Sequence, residues 1–242
     1  MLLKVRKLIN SERYKREIKV IGAKNLEKLK NSKVAIVGIG ELGSLVAYYL
    51  AAMGIGDILL IDGDRPKASN LDRQILHWEE DIDTVSKAIS AKWKLQRFNS
   101  GIKIETFVGR LTKENINEVL KGVDVVVDCV DNFETSYLLD DYIDDYIEEN
   151  SIPLVHAAVS GFYGQITTII LKETESLREI FPNPPAEKNE KSPLFGPVTG
   201  IVGTIEAAEV IKIITGCGML LKNKLLIVDL ARNSFEIINL EG

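Results

Sequence analysis

The chain has 242 residues, of which 45% are hydrophobic and 27% are charged, and its formal net charge of -5 corresponds to a pI near 5.3. This length and composition predict a soluble globular protein that buries one substantial core or two small ones. Because the lysines are scattered among carboxylates rather than gathered on one basic face, nucleic acid is disfavoured as a partner.

The two cysteines, Cys129 and Cys217, lie far apart, and no CxxC pair occurs. Neither a disulfide framework nor a four-cysteine zinc site can be built from them, so the sequence predicts no zinc and a cytoplasmic location. The most apolar stretch, residues 198–214, is interrupted by three charged residues, and no apolar signal region opens the chain. We therefore predict no membrane partner.

The chain begins with a helical arm and continues as strand, turn and helix. Residues 3–30 have apolar positions spaced among charges, as in a helix that packs on another element. Lys33–Val37 is a β-branched run that leads into glycines, and residues 42–53 have the apolar spacing of a helix. Asp57–Ile61 is a second buried strand, which completes a βαβ unit of the expected length.

The alternation of strands and helices continues through the middle of the chain. Helices are predicted at 86–98, 113–120 and 132–149, and strands at 103–107 and 123–127. Alternation of this kind builds a mostly parallel sheet with helices on both faces.

The next segment combines two strands with a long loop. The strands are predicted at 153–158 and 165–171, separated by a flexible segment at 161–164 that begins and ends with glycine. Residues 174–197 hold five of the seven prolines together with alternating charges, which predicts a mobile loop.

The C-terminal elements are a helix at 199–214 and a hairpin of strands at 224–229 and 234–238, whose polar-apolar alternation suits an antiparallel edge. The whole pattern predicts an α/β fold. We expect a Rossmann-like doubly wound, mostly parallel sheet with helices on both faces, N-terminal helices and a C-terminal antiparallel extension.

The strongest local motif is a GxGxxG between a predicted strand and a predicted helix. There the first glycine makes a tight turn, the second lets a phosphate approach the backbone, and the third lets helix and sheet pack closely. The alternative is a glycine turn without a ligand. Asp62 ends the second strand, where a carboxylate can accept a ribose hydroxyl. If the turn binds a nucleotide, the residues expected to contact it are Gly38, Gly40, Glu41, Leu42 and Gly43.

Two cations follow this motif and change the expected chemistry. Arg73 lies in an Asn-Leu-Asp-Arg-Gln run, and Lys87 opens the next predicted helix. The turn and Asp62 alone would indicate an NAD-dependent oxidoreductase, which needs little fixed charge. Attack at an α-phosphate requires cations that stabilise the transferring phosphoryl group and the departing pyrophosphate. The alternative is that both residues are ordinary surface charges.

Asp131 comes just past the carboxyl end of the buried strand at 123–127. That edge of a doubly wound sheet is where ligands bind, and a carboxylate there can hold Mg²⁺ that bridges a triphosphate. The alternative, which the residues leave open, is that Asp131 caps the helix starting near Phe133.

These separated motifs together resemble the ThiF/MoeB/HesA family, relatives of the ubiquitin-activating enzymes, from about residue 12 to the C-terminus. The pieces that carry the resemblance are Arg13-Tyr14-Lys15-Arg16-Glu17 (RYxRQ in the family), Gly38 to Gly43 (GxGxxG), Asp62-Gly63-Asp64 (DxD), Asn70 to Gln74 (NLxRQ), Lys87, Asp128 to Asn132 (DCxDN), Gly164-Gln165-Ile166 (GQ) and Gly196 to Lys212 (GPVxGxxGxxxAxExxK).

The resemblance implies an ATP-dependent adenylyltransferase that activates the C-terminal glycine carboxylate of a ubiquitin-like sulfur carrier of the ThiS or MoaD kind and releases pyrophosphate. This carrier, which ends in Gly-Gly, would serve thiamine, molybdopterin or related sulfur chemistry. The implied catalytic residues are Arg16, Arg73, Lys87 and Asp131, with Asp131 holding Mg²⁺ and Arg16 entering the site of the other subunit of a homodimer. The implied ATP-binding residues are Gly38, Gly40, Glu41, Leu42, Gly43, Asp62, Asp64, Asn70, Arg73, Gln74, Lys87, Asp131 and Asn132.

The resemblance also implies one adenylation domain over residues 1–242. Its parts would be an N-terminal helical arm at 1–30, a nucleotide-binding core at 31–150, and a carrier-binding and dimer half at 151–242 that contains the mobile loop 174–197.

Several residues depart from the family pattern. No zinc cysteines are present, and the absence of cysteine from 174–197 excludes covalent transfer through that loop. Glu41 stands where relatives commonly have glycine, and Glu17 replaces a glutamine. These changes leave open a catalytically reduced subunit that binds nucleotide or a ubiquitin-like protein, or adenylation of a non-protein carboxylate or a tRNA nucleoside. His77 and His156 are interpreted as structural, and Cys129 as buried packing.

Overall fold

The computed structural model describes residues 12–145, 152–183 and 193–240. The helices in these ranges are α1 (Lys15–Ile21), α2 (Ala23–Asn31), α3 (Glu41–Met53), α4 (Lys87–Phe98), α5 (Ile116–Val119), α6 (Phe133–Asp145), α7 (Leu177–Ile180) and α8 (Gly196–Thr215). The strands are β1 (Lys33–Val37), β2 (Asp57–Ile61), β3 (Lys103–Phe107), β4 (Val125–Asp128), β5 (Leu154–Ser160), β6 (Tyr163–Ile169), β7 (Lys224–Asp229) and β8 (Ser234–Asn239).

The strands form one eight-stranded sheet in the order β3-β2-β1-β4-β5-β6-β7-β8. Strands β3, β2, β1, β4 and β5 are parallel neighbours, whereas β6, β7 and β8 add antiparallel pairs. The chain therefore leaves β1 on one side for β2 and returns on the other side for β4. The crevice at the carboxyl ends of β1 and β4 is the switch point at which doubly wound sheets bind ligands. The predicted fold class is confirmed.

Helices cover both faces of this sheet, as predicted. One core cluster joins the sheet to α2, α3, α4 and α8, and it includes Leu29, Leu50, Ala91 and Val202. The second cluster lies on the other face under α5, α6 and α7. Strand β1 is buried from Val34 to Val37 because both faces are covered, which explains its uninterrupted apolar sequence. Among the described residues, none of the helices has both the length and the apolarity that a membrane crossing requires.

The helical arm is not continuous. It breaks at Gly22, whose φ of 83° separates α1 from α2, and the predicted residues 3–11 lie outside the described range. Tyr14 anchors the arm, since its buried hydroxyl accepts a 2.9 Å hydrogen bond from Asn99 Nδ2. No residue of α1 is buried, so this helix is held mainly at its ends.

The segment at 161–164, predicted to be flexible, is a tight hairpin turn. Tyr163 pairs with Ser160, and Gly161 adopts a φ of 57°. Gly164 lies inside β6, where an added Cβ would stand 2.3 Å from a side-chain carbon of Val202. Glycine at this position therefore permits close packing of α8 on the sheet rather than loop motion.

The predicted loop 174–197 is partly helical. Ser176 and Glu179 form a capping box that starts α7. Helix α8 begins at Gly196 because Pro197 is compatible with the first turn of a helix. Residues 184–192 of this loop lie outside the described ranges. Helix α5 is only the short piece Ile116–Val119 of the predicted helix 113–120.

Candidate active site

The glycine turn joins the end of β1 to the start of α3. Gly38 has a φ of 88°, and a Cβ there would meet the carbonyl oxygen of Cys129 at 2.6 Å. A Cβ on Gly43 would lie 1.9 Å from the Gly38 carbonyl oxygen. These two glycines are therefore required by the turn and by the packing of α3. At Gly40 the nearest atom would be Gln74 Nε2 at 3.4 Å, so the fold itself does not require glycine there.

Asp62, Asp64 and Lys87 form a group on one side of this turn, which we call the loop-side group. Asp62 Oδ2 accepts a 2.8 Å hydrogen bond from the Ile39 N–H of the turn, and Asp62 Oδ1 accepts one of 2.7 Å from Asp64 N–H. Lys87 Nζ lies 3.6 Å from Asp64 Oδ2. Burial raises the pKa of Asp62, and the charge of Lys87 opposes that rise. The structure thus brings Lys87 beside both predicted carboxylates.

Arg73 lies on the other side of the turn and contacts Glu41. Arg73 Nε is 3.9 Å from Glu41 Oε2, and the same oxygen accepts a 2.9 Å hydrogen bond from Gln74 Nε2. Arg73 Nη1 donates to the carbonyl oxygen of Ser69 at 2.8 Å. The carboxylate at position 41 is therefore paired with a cation and an amide, which offsets its repulsion toward phosphate.

A cavity of about 700 Å³ opens beside Arg73, at the carboxyl ends of β4 and β5. Its size lies within the range of ligand pockets. Of the predicted site residues, those that line it are Glu41, Leu42, Arg73, Asp131 and Asn132. Those that do not are Gly38, Gly40, Gly43, Asp62, Asp64, Asn70, Gln74 and Lys87. Arg16 is exposed on α1 and does not line the cavity.

Two of the predicted ATP-binding residues, Asn132 and Asn70, also accept hydrogen bonds from the backbone of their own segments. Asn132 Oδ1 accepts a 2.9 Å hydrogen bond from Thr135 N–H, which makes Asn132 a side-chain cap of α6. Asn70 Oδ1 accepts from Lys67 N–H at 3.0 Å within its own turn. Asp131 is exposed at the cavity.

The two histidines, both predicted to be structural, have different surroundings. His77 is bonded on both ring nitrogens, with Nε2 2.8 Å from the Ile39 carbonyl oxygen and Nδ1 3.1 Å from Ser90 Oγ. Desolvation lowers the pKa of His77 to about 4. His156 lines the cavity and is only 3% exposed, and its Nδ1 lies 2.7 Å from Asp128 Oδ2. His156 Nε2 is buried and has no hydrogen-bond partner in the described residues.

Sequence reasoning therefore missed the position of His156 on the cavity wall. The available signal was that Asp128 directly follows one predicted strand and that His156 lies in the next predicted strand. Their proximity depends on the pairing of β4 with β5, in which Asp128 and His156 are register partners.

Cys129 is a packing residue, as expected. Its thiol lies 3.8 Å from Glu206 Oε1 in the buried core, and burial raises the pKa of Cys129 well above its usual value. A thiol in this state is a poor nucleophile.

Known proteins of similar sequence identify the family of this chain. A family model described as the ThiF family matches residues 14–242. The SAMP-activating enzyme E1 of Haloferax volcanii is 36% identical over 233 residues, covering 94% of this chain and 84% of that protein. The sulfur carrier protein adenylyltransferase of Thermus thermophilus is 35% identical, covering 93% of this chain and 85% of that protein. The adenylyltransferase and sulfurtransferase MOCS3 of Culex quinquefasciatus is 37% identical, and the chain spans 55% of its length.

Solved structures share the fold of this chain. E. coli MccB matches with a TM-score of 0.83 at 24% identity, covering 94% of this chain and 69% of that chain, which supports the fold alone. The microcin C7 biosynthetic enzyme MccB in complex with N-formylated MccA is 26% identical with a TM-score of 0.81, covering 96% of this chain and 73% of that chain. The chain therefore belongs to the ThiF family and is an ATP-dependent adenylyltransferase of the E1-like activating type.

Proposed function

We propose that this adenylyltransferase uses ATP and Mg²⁺ to activate the C-terminal glycine carboxylate of a ubiquitin-like sulfur-carrier protein, with release of pyrophosphate. The observation that carries the proposal is the position of Arg73, which contacts Glu41 at the start of α3 and also lines the cavity. One cation thus faces both the glycine turn and a space large enough for an acyl chain. The names of the relatives from Haloferax volcanii and Thermus thermophilus support a carrier of this kind.

The residues at the turn fit a nucleotide. Arg73 Nε and Gln74 Oε1 are buried, and neither has a hydrogen-bond partner within the described ranges. Buried polar atoms of this kind are rare in proteins, so a ligand that supplies the missing bonds is expected. Asp62, whose carboxylate already orders the turn through Ile39, has further lone pairs for ribose hydroxyls.

Asp131 fits a magnesium ion held together with ATP. Mg²⁺ commonly binds proteins through one or two carboxylates and completes its shell with substrate phosphates and water. Asp131 is an exposed carboxylate on the cavity wall, so it would hold the ion from one side. When bound, the ion would neutralise phosphate charge.

The catalysis would consist of positioning and charge stabilisation. Arg73 and Lys87 would stabilise the negative charge that builds up when a carboxylate oxygen attacks the α-phosphorus and pyrophosphate departs. Lys87 is buried, so its charge is poorly screened by water and acts strongly over short distances. No side-chain nucleophile is needed for this step.

The homodimer belongs to this proposal through Arg16. This residue is exposed on α1, away from the cavity of its own chain, and it would complete the site of a second copy. The chain would act as one adenylation domain with the arm 1–30, the nucleotide core 31–150 and the carrier-binding and dimer half 151–242.

ATP–pyrophosphate exchange with purified candidate carriers tests the proposal. We expect exchange only when a carrier that ends in Gly-Gly is present. The matched control is the same carrier without its last glycine, which should give background exchange. Absence of exchange with every carrier from the same genome would overturn the proposal.

A second candidate is the adenylation of a peptide carboxylate that is not part of a carrier. The likeness to the microcin C7 biosynthetic enzyme MccB favours a substrate other than a sulfur carrier, because that enzyme of similar fold was solved in complex with N-formylated MccA. Exchange driven by a short free peptide, and not by a folded carrier, would establish this alternative.

A further inference from the structure

We propose that His156, held by Asp128, is the general base that deprotonates an incoming thiol when that thiol captures the acyl adenylate. This inference rests on the proposed function, because it concerns the step that follows adenylation at the same cavity. It assigns to the adenylating chain a catalytic role in the transfer of the acyl group to sulfur.

The pair has the geometry of an oriented base. Asp128 is fully buried at the end of β4, and its Oδ2 lies 2.7 Å from His156 Nδ1. The proposed role requires a neutral imidazole beside an ionised carboxylate; in that state the carboxylate only accepts hydrogen bonds, so the imidazole hydrogen sits on Nδ1. The lone pair is then on Nε2, the ring atom on the side away from Asp128. Asp128 Oδ1 accepts from Val130 N–H at 3.3 Å, which fixes the carboxylate in turn.

The free nitrogen is the observation that points to a ligand. His156 lines the cavity, and its buried Nε2 has no hydrogen-bond partner among the described residues. Leaving such an atom unpaired costs about 1–3 kcal/mol, so a fold that needed His156 only for packing would not favour it. The ring of Phe181 stands 6.0 Å from the imidazole and lines the same cavity. This apolar ring offers the Nε2 atom no hydrogen bond.

The thiol comes from outside this part of the chain. Cys129 is buried against Glu206, and its raised pKa keeps it protonated. Cys217 contacts Asn25 at 3.1 Å in the loop after α8 and does not line the cavity. The co-reactant is therefore a thiol or persulfide that neither cysteine of these 242 residues supplies.

The step balances as a simple acyl transfer. The thiol sulfur attacks the carbonyl carbon of the acyl adenylate, and a carbon–sulfur bond forms. The carbon–oxygen bond to the phosphate breaks, and its electron pair leaves with AMP. The S–H proton passes to His156 Nε2 and then to solvent. No atom is oxidised or reduced.

A competition between two thiols isolates this role. The full-length protein, ATP, Mg²⁺ and a carrier are mixed at neutral pH with 2-mercaptoethanol, which is mostly protonated, and with 5-thio-2-nitrobenzoate, which is already ionised. Only the protonated thiol needs a base. The two carrier thioesters are quantified by mass spectrometry, and their ratio does not depend on how much adenylate forms. For His156→Gln we expect the ratio of alkyl to aromatic thioester to fall about 100-fold.

Asp128→Asn tests the same idea with the histidine in place. The amide oxygen would stay on Val130 N–H, so the amide nitrogen would face His156 Nδ1 and drive the imidazole hydrogen to Nε2. The base would be lost, and the ratio should fall in the same direction. The control is His77→Gln, which removes the other buried histidine, and there the ratio should stay at the wild-type value.

The outcomes separate this inference from the proposed function. An unchanged ratio in both His156→Gln and Asp128→Asn overturns it. Formation of neither thioester while pyrophosphate exchange proceeds also overturns it and leaves the proposed function standing. Absence of exchange in the unmodified protein removes both.

Discussion

The two sides of the glycine turn differ in how their polar atoms are satisfied. In the loop-side group, Asp62 binds two backbone N–H groups and Lys87 lies beside Asp64. Around the cavity, Arg73 Nε and His156 Nε2 are buried without hydrogen-bond partners in the described residues. On the first side these contacts already hold the turn in its shape, and Asp62 retains lone pairs for a ligand. The second side is built to receive bonds from another molecule, because unpaired buried polar groups are destabilising unless a ligand pairs them.

This contrast predicts that changes at Gly38 and Gly43, the glycines that the turn requires, mainly affect stability and that changes at the cavity mainly affect activity. The largest effect is expected for Gly43→Ala, because the new Cβ would stand 1.9 Å from a backbone oxygen. We expect the free energy of unfolding to fall by about 3–5 kcal/mol, measured by urea denaturation. Gly200→Ala is the matched control, since a Cβ there meets nothing within 4 Å in α8. It should be neutral or stabilising by up to about 1 kcal/mol. Equal losses in both variants would contradict the contrast.

Arg73→Ala should show the opposite behaviour. Loss of one charged group that stabilises a transition state typically lowers the rate by about 10²–10³-fold, and we expect such a fall in carrier-dependent pyrophosphate exchange. Unfolding by urea should change by about 1 kcal/mol at most, because the contacts of Arg73 with Ser69, Asp72 and Glu41 are a few polar bonds and a 3.9 Å ion pair at a partly exposed site. Arg65→Ala serves as the control, since Arg65 bonds the carbonyl oxygen of Asp83 outside the cavity. If Arg73→Ala lost enough free energy of unfolding to explain its fall in pyrophosphate exchange, Arg73 would belong to the structural framework of the turn.

The smallest effect concerns His77 and the pH dependence of stability. Folding lowers the pKa of His77 from 6.5 to about 4, because burial favours the neutral ring. The neutral His77 therefore contributes its full stabilisation above pH 6.5, and this contribution is lost as the pH falls from 6.5 toward 4. The loss is about 1.4 kcal/mol per pH unit and at most roughly 3 kcal/mol. His77→Gln lacks this titration, so the stability difference between wild type and variant should shrink on acidification.

Urea denaturation at several pH values between 4.5 and 7 measures this difference. The carboxylates Asp62 and Asp81 titrate in both proteins, and their contributions cancel in the comparison. A difference that stays constant with pH would mean that His77 is not buried as a neutral ring.

The sequence predicted the part of the fold that local signals determine. The first βαβ unit has strong strand, turn and helix patterns, and its prediction was correct. This unit contains Lys33–Val37, the glycine turn and Asp57–Ile61. The ends of the helices and the hairpin between β5 and β6 were less predictable. The φ of 57° at Gly161 produces a tight turn between β5 and β6, yet glycine is equally typical of flexible segments.

The sequence predicted those candidate site residues that lie directly after one predicted strand or beside one predicted element. The expected residues at the turn and Arg73 come together, because each lies next to a predicted element on the same edge of the sheet. The pairing of Glu41 with Arg73 and the Asp128–His156 contact were not foreseen. Both depend on which distant segments become neighbours, and the sequence pattern does not contain that information.

The register of β4 and β5 has a consequence for how enzymes of this design can change. Asp128 and His156 are paired residues on adjacent parallel strands, so main-chain hydrogen bonds fix their separation. The mouth of the same cavity is formed in part by Phe181, which lies after a short helix and beside a loop. Loops tolerate insertion and replacement far better than interior strands do. Descendants of this protein could therefore accept new acyl donors by altering the entrance while the buried histidine and its carboxylate stayed in place.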